Sequence, residues 1–499
     1  MCGFIGIYGP EGHDVFPEIY DALIAVQHRG QDAAGIVTAT ESFHVQKGPG
    51  LVRDIFDERS ARILRGALGI GHVRYPTVGA GLTEDIQPFH VVIPRGVAMA
   101  HNGNVTNFID LKQRYFPERG VRLNSTCDLE AILYVFVEEL AKFAPVTVPR
   151  NGVRGPSDPN LPDAVFRSVS GVFERVRGAY SVVGCFAEGG LVAFRDPYGI
   201  KPMVMGERQF PEGKAYAFAS ETAALDAIGY KPVRDLEAGE AVFVDRDRKV
   251  HTRIVGKQAH RPCIFELVYF ARPDSFLDNV SVSRTRVRFG EALGRKWKRE
   301  FPDRPLDAVI PIPETSCIAA QSMARELGVP YREGLVKNRY VGRTFIMPSQ
   351  KKRQDAIRRK LNPIRLEFEG RRVLLVDDSI VRGNTARALV RLAREAGAAE
   401  VSFASTSPPL ISPCPYGIDM ATKTEFIARG KSVEEVRREL GVDALVYLDL
   451  EEMEAAARKG NEKIEKFCTA CFTGNYPTND VTAEMLSAIE NERLEARQC

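Results

Sequence analysis

Apolar positions come in short bursts through the first half of the chain and in longer unbroken runs through the second. Segments 5–8, 67–73, 97–100, 181–186 and 191–194 are brief apolar stretches closed by Gly, Pro, Asn or Asp, a pattern that predicts β-strands. Between them, 128–141 and 165–176 repeat apolar residues every three or four positions, the spacing of an amphipathic helix. Residues 145–162 carry many Pro, Gly and polar side chains and predict a surface loop. Further on, runs 308–312 and 373–376 are short and continuously apolar, as in strands covered on both faces of a parallel sheet. Helical stretches follow each, at 318–327 and 385–396, and this alternation predicts a doubly wound α/β sheet. A charged helical tail, 483–497, closes the chain, and no internal repeat interrupts it.

Composition narrows the picture. At 499 residues and 55.3 kDa the chain exceeds one hydrophobic core, so two or three domains are expected. The net charge of +3 comes from 68 basic and 65 acidic residues, well mixed, and nothing in it calls for nucleic acid or a membrane surface. A compact anionic substrate stays compatible, because local charge decides that. No apolar run reaches the length of a membrane span, and the N-terminus lacks the basic and apolar regions of a signal peptide, so the expected location is the cytoplasm. Nine cysteines, an odd and scattered set, argue against a disulfide framework. Cys185, inside an apolar strand, is expected to be an inert core thiol.

Chemistry begins at the N-terminus. Loss of Met1 would leave Cys2 with a thiol and a free α-amine, and an α-amine titrating at about 8 can activate the thiol without a histidine. Polar clusters at 27–32 (Gln-His-Arg-Gly-Gln-Asp), 71–77 (Gly-His-Val-Arg-Tyr-Pro-Thr) and 101–104 (His-Asn-Gly-Asn) lie at the ends of apolar runs, where sites are usually built. Together with Met1-Cys2-Gly3, these segments resemble the class II glutamine amidotransferases over residues 2–250. The resemblance implies an α+β N-terminal-nucleophile (αββα) glutaminase fold, with Cys2 as nucleophile. It also implies Asn102 and the Gly103 N–H as oxyanion donors, Arg74 for the glutamine carboxylate and Asp128 for its ammonium. Arg29 is implied at the same glutamine site, or as a brace of its pocket.

The segment 372–385 (Arg-Val-Leu-Leu-Val-Asp-Asp-Ser-Ile-Val-Arg-Gly-Asn-Thr) delivers two carboxylates to the end of an apolar strand, where open α/β sheets bind ligands. A Ser/Gly/Asn/Thr loop then enters a helix, whose first N–H groups suit a phosphate. It resembles the phosphoribosyl-diphosphate (PRPP) fingerprint of type I phosphoribosyltransferases, an α/β fold. By that likeness Asp377, Asp378, Ser379, Arg382, Gly383, Asn384 and Thr385 bind PRPP, and Asp377, Asp378 and Thr315 of the 310–316 segment hold Mg2+. The basic segment 337–348 resembles the loop that closes over PRPP and adds Lys337 and Arg343. Closure excludes water that would compete with ammonia.

Jointly the halves resemble the glutamine PRPP amidotransferase family, with domains at 2–250 and 251–470 and a tail at 471–499. That likeness implies ammonia split from glutamine and passed to PRPP, giving 5-phosphoribosylamine, glutamate and diphosphate at the start of purine synthesis. Residues 271–275 match the segment beside the ammonia route. A homotetramer inhibited by purine nucleotides is implied in the same way. Another acceptor for the ammonia, or a PRPP-sensing regulator, fits the acidic pair and Cys2 less well.

Cys468 and Cys471 form a CxxC, and Cys263 and Cys414 could complete a four-thiolate set. Spacing alone leaves iron–sulfur and zinc both open. The four match the iron–sulfur branch of the family, which implies a [4Fe–4S] cluster.

Overall fold

The computed structural model describes residues 2–75, 83–93, 95–144, 158–338, 360–418, 420 and 422–496. Among them, the first half builds two antiparallel sheets. The seven-stranded sheet runs Lys231–Asp235, Val204–Phe210, Gly213–Ala219, Gly3–Tyr8, Leu68–Arg74, Ala33–Ala39 and Phe43–Pro49. The six-stranded sheet runs Val250–Ile254, Glu240–Val244, Leu191–Arg195, Gly178–Phe186, Val97–Val105 and Phe89–Val91.

Side-chain alternation explains the layers. Along Gly3–Tyr8, Phe4 and Tyr8 enter the core between the sheets with Ile70, Ala98, Val183 and Phe218. Ile5 and Ile7 point the other way, onto Ile19 and Leu23 of the helix Phe16–Ala25. Helices Leu129–Phe143 and Leu161–Arg175 cover the outer face of the six-stranded sheet, with Phe136 stacked on Phe194 at 6.4 Å. The result is the expected αββα sandwich. It places the start of Gly3–Tyr8 and the middle of Val97–Val105 close together.

In the second half, a parallel sheet is ordered Ala308–Pro311, Arg372–Asp377, Glu400–Ser405 and Leu445–Tyr447. Val373 and Leu375 face one core with Ala386 and Leu389, while Leu374 and Val376 face another with Phe289 and Met323. Burial on both faces accounts for the unbroken apolar runs. A small ribbon, Leu335–Lys337 with Leu361–Pro363, stands beside the sheet.

Some details depart from the sequence reading. The strand expected at 97–100 continues to Val105, so the polar run 101–104 lies inside it rather than at its end. Nine consecutive pairings with Gly178–Phe186 hold it extended. Helix Leu161–Arg175 begins within the predicted 145–162 loop, with Pro162 in its first turn, where a missing N–H costs nothing; residues 145–157 lie outside the described set. The strand Val250–Ile254 closes the first unit just past residue 250. Cys471 and Phe472 pack in a buried cluster with Phe265, Val309 and Leu374, and the helix of the tail spans Ala483–Ala496. Among the described residues, no helix is long and apolar enough to cross a membrane.

Candidate active sites

Cys2 is nearly buried at the head of the strand Gly3–Tyr8. Its neighbour strand Leu68–Arg74 pairs Gly3 with Val73, which sets Arg74 next in line beside Cys2. The Cys2 backbone nitrogen donates to Asn102 Oδ1 at 3.2 Å, and Sγ lies 3.7 Å from the Tyr75 carbonyl oxygen. Asn102 is fully buried and its Nδ2 has no protein partner. A buried amide donor without an acceptor is costly unless something else accepts it. Gly103 follows with φ 151°, and a Cβ there would meet the Ala179 carbonyl oxygen at 2.0 Å, so no other residue fits.

Arg74 is oriented by Asp85, with Nη2 3.5 Å from Oδ2. Asp85, buried itself, accepts from the Thr126 N–H at 2.8 Å and from its hydroxyl. Asp128 takes the Val105 N–H at 2.7 Å and faces His101 Nε2 at 3.3 Å. Burial alone would push the Asp128 carboxyl up, but His101 and that N–H outweigh it and hold the group below its usual value. The Gln87 amide bonds His101 Nδ1 at 2.9 Å and its oxygen accepts from the His101 N–H at 2.8 Å, which fixes the ring beside Asp128. Asp85 and Gln87 escaped the sequence reading, since an isolated Asp or Gln in a loop carries no signal.

Arg29 is placed differently from the other predicted glutamine residues. Its guanidinium bonds Glu221 and, at 2.8 Å, Glu266, so it spans the joint between the two halves. Glu221 also accepts from His28 at 2.8 Å, the Arg272 N–H at 2.9 Å and the Ser275 hydroxyl at 2.7 Å. Burial pushes the Glu221 carboxyl up, and Arg29 with these donors more than reverses that. The segment 271–275 is thereby pinned to the glutaminase half.

At the second site, Asp377 and Asp378 sit at the carboxyl end of Arg372–Asp377. Thr315 donates to Asp378 Oδ2 across from the neighbouring strand's loop, and Ser379 donates to Oδ1 at 2.7 Å. Burial raises both carboxyls, and for Asp377 the adjacent Asp378 raises it further. The Asp378 N–H also donates to Asp377 Oδ1 at 2.9 Å, and Arg286 lies near enough to lower the Asp378 carboxyl against its burial. Gly383 precedes the helix Asn384–Glu395, with Asn384 and Thr385 exposed in its first turn. Arg382 is turned onto Glu425 at 3.0 Å, and Asn384 accepts from Arg387 at 2.8 Å. Lys337 stands 3.5 Å from Glu314 on the 310–316 segment. Arg343 lies outside the described residues.

Cys263, Cys414, Cys468 and Cys471 are all buried. The Cys468 N–H donates to Pro262 O at 2.9 Å, and the N–H groups of Ile411 and Ser412 donate to Cys471 O at 3.0 and 3.1 Å. Cys263 and Cys468 pair in an isolated parallel bridge, all four cysteines share one buried cluster, and burial pushes the Cys471 thiol up. Among the described residues, no three His, Cys, Asp or Glu side chains form a ready single-ion site. Cys185 is fully buried and its thiol is pushed up by burial alone.

Residues 72–227 match the glutamine amidotransferase domain family and residues 296–407 the phosphoribosyl transferase domain family. Fold and sites thus define a glutamine amidotransferase fused to a phosphoribosyltransferase. The amidophosphoribosyltransferase of Escherichia coli (strain K12) is 45% identical over 505 residues, covering 100% of this chain and 97% of its own. That of Saccharomyces cerevisiae is 42% identical over 487 residues, covering 96% and 92%. The glutamine PRPP amidotransferase of B. subtilis, solved with ADP and GMP, superposes with a TM-score of 0.80 at 36% identity over 95% of this chain and 97% of that one. The chain belongs to the amidophosphoribosyltransferase family. It is a glutamine-hydrolysing pentosyltransferase.

Proposed function

We propose the following division of labour, carried above all by the unpaired, buried Asn102 Nδ2 beside Cys2. Removal of Met1 turns the Cys2 nitrogen into an α-amine, which takes the thiol proton as Sγ attacks the glutamine amide carbon. The developing oxyanion is met by Asn102 Nδ2 and the Gly103 N–H, donors already in place and dry. Arg74, set by Asp85, takes the glutamine α-carboxylate, and Asp128 its ammonium. Ammonia leaves and water clears the thioester as glutamate. The junction tied by Arg29, Glu221 and Ser275 gives ammonia a covered way to the second site.

There Asp377 and Asp378 would hold the PRPP ribose hydroxyls and, with Thr315, Mg2+. The 379–385 loop and helix start take the 5-phosphate. Bound Mg2+ would neutralise charge on the departing diphosphate. Lys337 and Arg343 complete the PRPP site from the 337–348 segment. Ammonia attacks the anomeric carbon, diphosphate leaves, and 5-phosphoribosylamine forms.

The four buried thiols suit a [4Fe–4S] cluster. All four lie in one buried cluster, and the likeness to the iron–sulfur branch of the family is what favours a cluster over one zinc ion. Bound there, it would tie Cys263 at the junction to Cys414 and the 468–471 turn. The ADP and GMP held by the B. subtilis relative support the reading that purine nucleotides inhibit this chain. A homotetramer in the cytoplasm completes the reading.

One assay tests the core of it. Glutamine with PRPP and Mg2+ should give glutamate and diphosphate in equal amounts. Cys2→Ser should abolish the glutamine reaction and keep the reaction with free ammonia, while Asp378→Asn should remove both. Loss of the free-ammonia reaction in Cys2→Ser would sink the assignment.

A further inference from the structure

Four thiols in one apolar core pose an electrostatic problem. A [4Fe–4S] core held by four thiolates carries net negative charge, and more of it when reduced. An anion away from water is unfavourable unless a cation or hydrogen bonds answer it. Cys263 and Cys414 are 8% exposed and Cys468 and Cys471 6%, so solvent contributes little.

Lys201 stands beside them. It is fully buried, and among the described residues it is the only buried lysine. Ile200, its neighbour in the chain, accepts the Cys263 N–H at 3.1 Å and packs in the same core as the four thiols. Ile200 and Pro202, on either side of Lys201, line one small cavity with Cys263 and Phe467. Burial pushes the thiols of Cys263 and Cys468 up, and Lys201 is near enough to draw both down against it. Glu266 opposes it at Cys263, but that carboxylate is engaged by Arg29 at 2.8 Å.

A lysine ordinarily carries its charged head to water. Here the chain path is fixed at both of its peptide groups. The Lys201 N–H donates to Asp196 Oδ2 at 3.2 Å, and its carbonyl accepts from Arg195 Nε at 2.6 Å and the Ser181 hydroxyl at 3.1 Å. Arg195 is itself held by both oxygens of Asp278, at 2.6 and 2.8 Å. The head therefore stays inside, in the region of the thiols.

We infer that Lys201 is the buried counter-charge of the four-thiol site, a positioning residue that keeps the thiolate set together and raises the reduction potential of a cluster bound there. The inference rests on the [4Fe–4S] reading above. A cation favours the form with more negative charge, so it favours the reduced cluster. It also eases the confinement of four thiolates in a dry place, which slows the loss of iron. Lys201 belongs to neither reaction site.

The test uses the full chain, purified without oxygen and loaded to about four iron atoms. Lys201→Met keeps the side-chain length and removes the charge. At a fixed solution potential its reduced-to-oxidised ratio should lie about tenfold or more below the parent, a shift of about 59 mV or more for one electron. Spectroelectrochemical titration reads that ratio. Iron release to a chelator should be about tenfold or more faster. Lys201→Arg, which keeps the charge, should restore both. Should Lys201→Met not fold, Lys201→Gln, which keeps a hydrogen-bonding head without the charge, reads the same two quantities. A parental potential in the charge-free variant overturns the counter-charge, and faster iron release without a change of potential does so too, since it makes Lys201 a packing residue. A parent that holds zinc, or no metal, refutes the cluster reading itself and the counter-charge with it.

Discussion

The Cys2 main-chain nitrogen donates to Asn102 Oδ1 at 3.2 Å, while the other arm of the same amide is buried without a protein acceptor. In the proposed mechanism one side chain would hold the nitrogen that becomes the base and offer the oxyanion a donor. Asn102→Ala should lower kcat for glutamine by about 100-fold to 1000-fold with the free-ammonia reaction intact. Steady-state kinetics with each nitrogen source checks it; an equal loss in both would assign Asn102 to folding instead.

Arg29 and Glu266 meet at 2.8 Å with both side chains buried, and Glu221 shares the guanidinium. Removing the cation strips Glu266 of its ion-pair partner and leaves Glu221 with only its remaining donors in a buried junction. Arg29→Ala should destabilise the chain by about 3–5 kcal/mol, read from the denaturant midpoint and slope. A shift below about 1 kcal/mol would place this pair among weak surface bridges.

His260 lies at the joint, 3.5 Å from Asp278. Burial pulls its imidazole down to about 4; Asp278 opposes this and Arg195 adds to it. An unfolded imidazole titrates at about 6.5, so its contribution is complete above that pH. As pH falls toward about 4 the unfolded chain takes the proton first and stability is lost. Asp196 and Asp235, raised by burial to about 6 and about 7, act in the opposite sense. The difference between parent and His260→Gln isolates the ring. Going from about pH 7.5 to about pH 5, the parent should lose about 1–3 kcal/mol relative to the variant. Parallel pH curves would exclude the effect.

The four-thiol group gives a compositional prediction. Chain purified without oxygen should carry about four iron and four sulfide atoms, with visible charge-transfer absorption. Cys468→Ser should lower both together. Zinc in place of iron would overturn the cluster assignment.

Much of the chemistry was legible because it is contiguous. The Asp377–Asp378 pair, its loop and the following helix form a single stretch, and Cys2 is marked by its place in the chain. Arg29 shows the limit. Its carboxylate partners stand 192 and 237 positions away, and local pattern contains no trace of them. The run 101–104 looked like a strand end because it is polar. Inside the sandwich, that polarity faces a site rather than solvent.

By itself the sequence determined the two halves and singled out Cys2, the acidic pair and the four thiols as candidates, since each depends on residue type and short-range spacing. Only the tertiary structure decided which groups meet. It set the Asn104–Pro415 contact across 311 positions, the Arg29 bridge at the joint, and Asp85 behind Arg74. Such pairings arise from the register of strands and the packing of one half on the other. They are long-range consequences of burial, which no local window of sequence encodes.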